Sequence, residues 1–335
     1  MELYNVVKFL MSKYKGILAA DESFPTIKKR LEAVNVESTD KTRNGYRELL
    51  FFTKGLEDYV SGIIMFDETL RSKTSNGVLF PQALKEKGII SGIKVDKGLV
   101  NLPGTNNEKV TQGLDGLHDR LKEYYSLGAR FAKWRAVISI GENTPTQRCI
   151  KANAHVLARY ASISQKEGLV PIVEPEVLFD GEHNIEQCEK ATLDTLSCLF
   201  YELYNQDVNI ETIILKTNMV TSGKKCPKQA DIKEVAQRTI HCFKQVLPPA
   251  LPGIAFLSGG QSAILATQHL NEMNASGENL PWELSFSYGR ALQEPALNTW
   301  KGREDYYIKA QDALFHRAKC NGLARCGEYK LEMEN

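Results

Sequence analysis

Eight short runs of β-branched and apolar residues recur along the chain: Gly16 to Ala20, Val60 to Phe66, Ile89 to Val95, Phe131 to Val137, Val170 to Val173, Ile213 to Leu215, Ile254 to Leu257 and Leu284 to Tyr288. Most intervals between them carry apolar residues at helical spacing, as in Leu117 to Leu127, Ile185 to Tyr204 and Ile232 to Val246. Strands that alternate with helices pair in parallel, because each crossover returns the chain to the same end of the sheet. Eight such units predict a closed (β/α)8 TIM barrel rather than an open sheet. No Gly/Ser-rich or Pro-rich linker and no internal repeat divides the chain, so residues 1–335 are expected to form a single domain. The chain before Lys15 and the segment after about Trp300 read as helical additions outside the barrel, and Leu102 to Gly116 and Thr217 to Ala230 as polar loops.

Composition narrows the partners. With 42% hydrophobic and 25% charged residues, the chain can bury a large core and resembles neither a disordered nor a membrane-spanning sequence. A net charge of +1 speaks against a general nucleic-acid binder, so an acidic ligand must be held by a local site. Lys8 interrupts the apolar stretch Val6 to Met11, and Gly16 to Ala20 is too short for a secretory core. A cytoplasmic protein is expected. The seven cysteines, spread from Cys149 to Cys326 without a Cys-x-x-Cys pair, agree with reduced thiols in that compartment. No two of the six histidines stand at i, i+2 or i, i+4 spacing, so neither a metal site nor another cofactor is expected.

Charge at the strand ends is more informative. Lys94 and Asp96, Lys133 and Arg135, and Glu174 and Glu176 are each spaced by two, which puts both members of a pair on one face of their strand. Lys216 directly follows Ile213-Ile214-Leu215, and Asp21 follows the first run. Any single pair reads equally well as strand-end residues facing water. Five parallel strands that all end in charge at one rim instead describe the catalytic end of a barrel, where residues from several strands converge. Charges gathered there need partners, and the set balances four against four: Lys94, Lys133, Arg135 and Lys216 against Asp21, Asp96, Glu174 and Glu176. Such a cluster suits imine chemistry. Crowded beside Lys133 in a partly desolvated pocket, Lys216 is expected to have a lowered pKa and to attack a ketone, while Glu174 carries protons.

Two stretches read as phosphate cradles. Ser258-Gly259-Gly260-Gln261 follows the seventh strand and opens a helix near Ser262, where backbone amides freed by glycine can hold an anion. Ser287-Tyr288-Gly289-Arg290 ends the eighth strand, and loops after strands seven and eight are frequent phosphate sites in such barrels. A second cation-rich end is expected from Ser23, Thr26 and Arg30 after the first strand, Lys94 after the third and Arg135 after the fourth. Ser23 and Thr26 taken alone read as ordinary helix N-cap residues.

Seven segments, in order, carry a resemblance to the class I fructose-bisphosphate aldolases: 16–23, 92–98, 131–135, 170–176, 215–220, 256–261 and 287–293. The resemblance implies reversible cleavage of fructose 1,6-bisphosphate in glycolysis and gluconeogenesis, with Lys216 as the Schiff-base lysine and Glu174 as proton carrier. Asp21 would take the C4 hydroxyl proton, Lys133 would assist at the carbinolamine, and Glu176 would orient the lysine cluster. One phosphate would be held by Ser258, Gly259, Gly260, Ser287 and Gly289 with help from Arg290, the other near Ser23, Thr26, Arg30, Lys94 and Arg135. Sugar phosphates as the only partners, no metal, and a homotetramer are further implications. The chain departs from the family pattern at Thr217, in place of proline, and at Phe24-Pro25. No tyrosine ends the chain, which implies that the family's mobile tail is missing and leaves Tyr329 as a substitute too close to the barrel wall to serve. Two other readings stay open on the residues alone: a lysine aldolase or transaldolase for another sugar phosphate, and a non-catalytic scaffold, which would have no need of Asp21, Lys133, Glu174 and Lys216 together.

Overall fold

The computed structural model describes residues 2–334. Its strands are β1 (Gly16–Ala20), β2 (Val60–Met65), β3 (Ile90–Lys94), β4 (Leu99–Asn101), β5 (Lys109–Thr111), β6 (Phe131–Ile138), β7 (Val170–Val177), β8 (Ile214–Thr217), β9 (Gly253–Phe256) and β10 (Glu283–Tyr288). All but β4 and β5 are parallel and close in the order β1-β10-β9-β8-β7-β6-β3-β2, which makes the fold a (β/α)8 barrel. The exceptions, β4 and β5, form an antiparallel hairpin, with β4 just before the segment 102–116 expected to be loop and β5 inside it.

Period-2 alternation divides the barrel residues into two sets. Ile17, Ala19, Ile64, Phe131, Val170, Ile172, Ile214 and Ala255 form one apolar cluster, capped by Val6, Val7, Leu10 and Met11 of the N-terminal segment. The helix Leu3–Leu10 therefore closes the N-terminal end of the barrel, and each fully buried side chain in it contributes about 1.5–3 kcal/mol. Phe131 supplies much of the filling, and close approach is possible only because its neighbours are small: a Cβ on Gly92 would lie 2.1 Å from the ring. Leu18, Trp134, Val173 and Leu215 belong to the second, larger cluster between barrel and helices.

Stepping two residues along the inner face explains the rim. Phe131 leads to Lys133 and Arg135, Ile172 to Glu174 and Glu176, Ile214 to Lys216, and Ala19 to Asp21. Apolar inward positions at the N-terminal end thus give way to charged ones at the C-terminal end. Several helices start at a side-chain cap. Thr146, Asn184, Asp231 and Ser262 each accept the backbone N–H three residues on, a contribution of about 1 kcal/mol apiece. Among the described residues no helix is long and apolar enough to cross a membrane.

Candidate active site

A cavity of about 860 Å³ opens at the C-terminal end of the barrel. Every residue singled out above as catalytic or phosphate-binding lines it, from Asp21 after β1 to Arg290 after β10. Sequence reasoning left out Glu22, Lys97, Arg120, Tyr124 and Asp180, which line it too.

At its centre stand the eight paired charges. Lys133 Nζ lies 2.7 Å from Asp21 Oδ2, 3.3 Å from Glu174 Oε2 and 3.9 Å from Asp96 Oδ2. Lys216 Nζ lies 3.1 Å from Glu174 Oε1. Lys94 Nζ is 2.6 Å from Asp96 Oδ1, and Arg135 Nε donates to Glu176. Two expectations change as a result. The lysines do not face one another bare, because Glu174 puts one oxygen toward each. Glu176 grips Arg135 rather than either lysine, since both are inward residues at the outer edge of adjacent strands.

Burial opposes the ionisation of Asp21, but Lys133, Lys216 and Lys94 outweigh it and hold this carboxyl well below the usual range. For Lys133, burial likewise opposes the charge and is outweighed by Asp21, Glu174 and Asp96, so its ammonium holds its proton above the ordinary lysine range. Asp21 is therefore a carboxylate at neutral pH and Lys133 a fixed cation.

The two cradles occupy opposite walls. In the eight-strand ring β9 and β10 lie diametrically across from β3 and β6, so the Ser258-to-Gly260 and Ser287-to-Arg290 turns face Lys94 and Arg135. Gly259 (φ 61°) and Gly260 (φ 98°) adopt left-handed backbone conformations that favour glycine. Among the described residues neither amide donates to a carbonyl, and Ser287 Oγ is buried without a partner. Arg290 has no carboxylate within ion-pair distance among them. Those donors are free for an anion.

Arg30 falls elsewhere than its place in the sequence suggests. Closure of the ring makes β1 and β10 neighbours, and Arg30 Nη2 sits 4.0 Å from where a Cβ on Gly289 would be, beside the cradle of Ser287 and Gly289. Ser23 and Thr26 stay at the mouth, their hydroxyls 3.3 Å apart. Arg30 is held by Glu22, which also accepts from Arg47 Nη2 at 2.6 Å and Gln293 Nε2 at 2.8 Å. Burial raises the Glu22 carboxyl, and Arg47 and Arg30 more than offset it, so Glu22 stays ionised below its ordinary range. Tyr329 does not line the cavity: its hydroxyl donates to Glu334 at 2.8 Å and its N–H to Asn271 at 2.9 Å.

The family model described as fructose-bisphosphate aldolase class-I matches residues 2–335. The probable fructose-bisphosphate aldolase class 1 of Xanthomonas campestris pv. campestris is 55% identical over 330 residues, covering 98% of each chain. Fructose-bisphosphate aldolase 1 of Toxoplasma gondii is 52% identical over 98% of this chain and 91% of its own. A solved structure of the Plasmodium falciparum fructose-bisphosphate aldolase, in complex with TRAP and a small-molecule inhibitor, superposes with a TM-score of 0.96 at 51% identity, covering 98% of this chain and 95% of that one. Since these matches take in nearly the whole barrel, both walls of the cavity included, the chain belongs to the class I fructose-bisphosphate aldolase family.

Proposed function

We propose that the chain cleaves fructose 1,6-bisphosphate reversibly into dihydroxyacetone phosphate and glyceraldehyde 3-phosphate through an imine on Lys216. Family membership makes this a carbon–carbon lyase. The observation that carries the residue assignment is Glu174 standing between two buried lysines, 3.1 Å from Lys216 Nζ and 3.3 Å from Lys133 Nζ. Lys216 Nζ attacks the C2 carbonyl once its proton has passed to Glu174, and Lys133 stabilises the carbinolamine oxygen. Glu174 then returns a proton to that oxygen, water leaves, and the protonated imine forms. Asp21 takes the C4 hydroxyl proton, the C3–C4 bond breaks with its electron pair moving into the enamine, and the aldehyde departs. Protonation at C3 and hydrolysis of the imine release the second triose phosphate and restore the lysine. The scaffold reading gives no reason for Asp21, Lys133, Glu174 and Lys216 to be linked in one chain of contacts of 2.7, 3.3 and 3.1 Å.

Borohydride added with dihydroxyacetone phosphate is expected to leave a stable adduct on the peptide containing Lys216, because only an imine is reduced in this way. An adduct confined to Lys133 would sink the assignment. The two walls predict a kinetic difference. Arg290→Ala should raise KM roughly 10–100-fold, the loss of one charge-assisted phosphate contact of about 1.5–3 kcal/mol. Lys94→Ala should penalise fructose 1,6-bisphosphate more than fructose 1-phosphate, since only the former reaches the opposite wall. Equal penalties would remove Lys94 from the distal grip. On family resemblance we also propose a cytoplasmic homotetramer, testable by a sedimentation mass four times that of the chain.

A further inference from the structure

The helix Tyr307–Ala324 presents His316 and Cys320 one turn apart on the same face. A single 3-10 turn at Leu331–Glu334 brings Glu334 against them. His316 Nε2 is 3.6 Å from Cys320 Sγ and 3.7 Å from Glu334 Oε2, and the three donor atoms all lie within 4.8 Å of one another. Donors bound to a tetrahedral zinc at about 2.0–2.3 Å are separated by roughly 3.3–3.6 Å. The two edges at His316 therefore approach those of a zinc tetrahedron before any movement, and the Cys320–Glu334 edge lies within 4.8 Å. We propose that His316, Cys320 and Glu334 form a three-ligand site for one zinc-class divalent cation, with a water in the fourth position.

The donor set defines the class of ion. Nitrogen, sulfur and oxygen together suit zinc or cobalt and disfavour magnesium or calcium, which prefer oxygen alone. Cys320 is buried and His316 half-exposed, with 44% of its side chain accessible, so the site has a fixed inner wall and an open entrance. Outer contacts hold the carboxylate in place. Arg317 Nη1 donates to Glu334, Tyr329 Oη donates to its Oε1 at 2.8 Å, and Arg317 Nη2 is anchored on Thr267 Oγ1 at 2.6 Å. Such second partners orient metal-binding carboxylates. Arg317 repels a dication, but the thiolate and carboxylate supply two negative charges, and the thiol proton leaves to solvent as the metal–sulfur bond forms.

None of the three residues lines the substrate cavity, so the site is separate from imine chemistry. A search for pairs of histidines misses it, because the second residue of the i, i+4 pair is cysteine. A bound ion would cross-link the C-terminal turn to the helix Tyr307–Ala324, clamping the segment that carries Tyr329.

The test is titration of the chelator-washed full chain with Co²⁺, read by its visible d–d bands and its thiolate charge-transfer band. Saturation at one equivalent with a thiolate band is expected. His316→Ala, at an accessible position, and Cys320→Ala should each weaken binding by more than about a hundredfold, beyond what loss of an outer partner causes. Cys326→Ser should bind as the parent does. Zn²⁺ should raise the thermal midpoint of the parent but not of His316→Ala, which keeps the test informative if Cys320→Ala folds poorly. A cobalt complex without a thiolate band, a band that survives in Cys320→Ala, or a parent midpoint indifferent to Zn²⁺ would each overturn the proposal.

Discussion

Replacing Lys216 with methionine is expected to lower cleavage on the order of 10⁴-fold or more, about 5 kcal/mol of transition-state stabilisation, because it removes the covalent route itself. Methionine keeps most of the stem volume at this buried position, so the effect isolates the amine. The phosphate grips sit on other strands and remain, so substrate should still bind. Glu174 also keeps a cation, since Lys133 stays 3.3 Å from its second oxygen. The expected signature is thus a collapse of kcat with KM little changed, and no adduct on borohydride treatment. Turnover within tenfold of the parent would mean that another nucleophile, or no imine at all, carries the reaction.

What the sequence revealed was whatever strand period and side-chain charge could encode. The eight barrel strands and the converging rim follow from alternation that places Lys133, Arg135, Glu174, Glu176 and Lys216 inward at the C-terminal end. The end of β7 was harder to read because Pro175 argues against a central strand. It is tolerated because β7 pairs with β8 only at Ile172 and Val173, and beyond them its edge is free of strand pairing. There Asn218 replaces the ladder, accepting from Val177 N–H at 3.0 Å. The segment after Thr217, expected to be a polar loop, is buried through Gly223, with Val220 N–H donating to Thr239 Oγ1 at 2.9 Å. The hairpin of β4 and β5 escaped because its three-residue strands carry little apolar signal.

The placement of Arg30 and the role of Glu22 depended on contacts far apart in sequence. Glu22 follows the inward Asp21, so alternation turns it out of the central charge cluster and toward Arg47 and Gln293, which lie 25 and 271 residues away in the chain. No local pattern predicts such partners. Their effect reaches the site through one side chain, because Glu22 fixes Arg30 beside Gly289. The geometry of the proposed phosphate cradle at this wall is therefore set partly by a buried ion network behind it.

Removing Lys133 should have the largest effect on the fold and the site together. The residue is 3% exposed and faces Asp21, Glu174 and Asp96. Lys133→Met leaves four carboxylates against three cations, and breaking a buried pair in this way costs about 3–5 kcal/mol. Cleavage should fall by about 10²–10⁴-fold, as expected when a group that stabilises a proton-transfer intermediate is lost. In the parent, the raised lysine contributes stability that is complete below its unfolded pKa and is lost only as pH rises through the higher folded value. The depressed Asp21 contributes stability that is present above its unfolded pKa and is lost as pH falls through the lower folded value. At neutral pH both contributions are complete. Without Lys133, burial is the largest influence on Asp21 and acts upward, with its main opponent gone. Protonation of Asp21 then relieves the folded state, so the variant should gain stability relative to the parent as pH falls from about 8 to about 5. Urea midpoints across that range would measure it. A variant whose stability parallels the parent's at every pH would show that Lys133 is not the charge that balances this cluster.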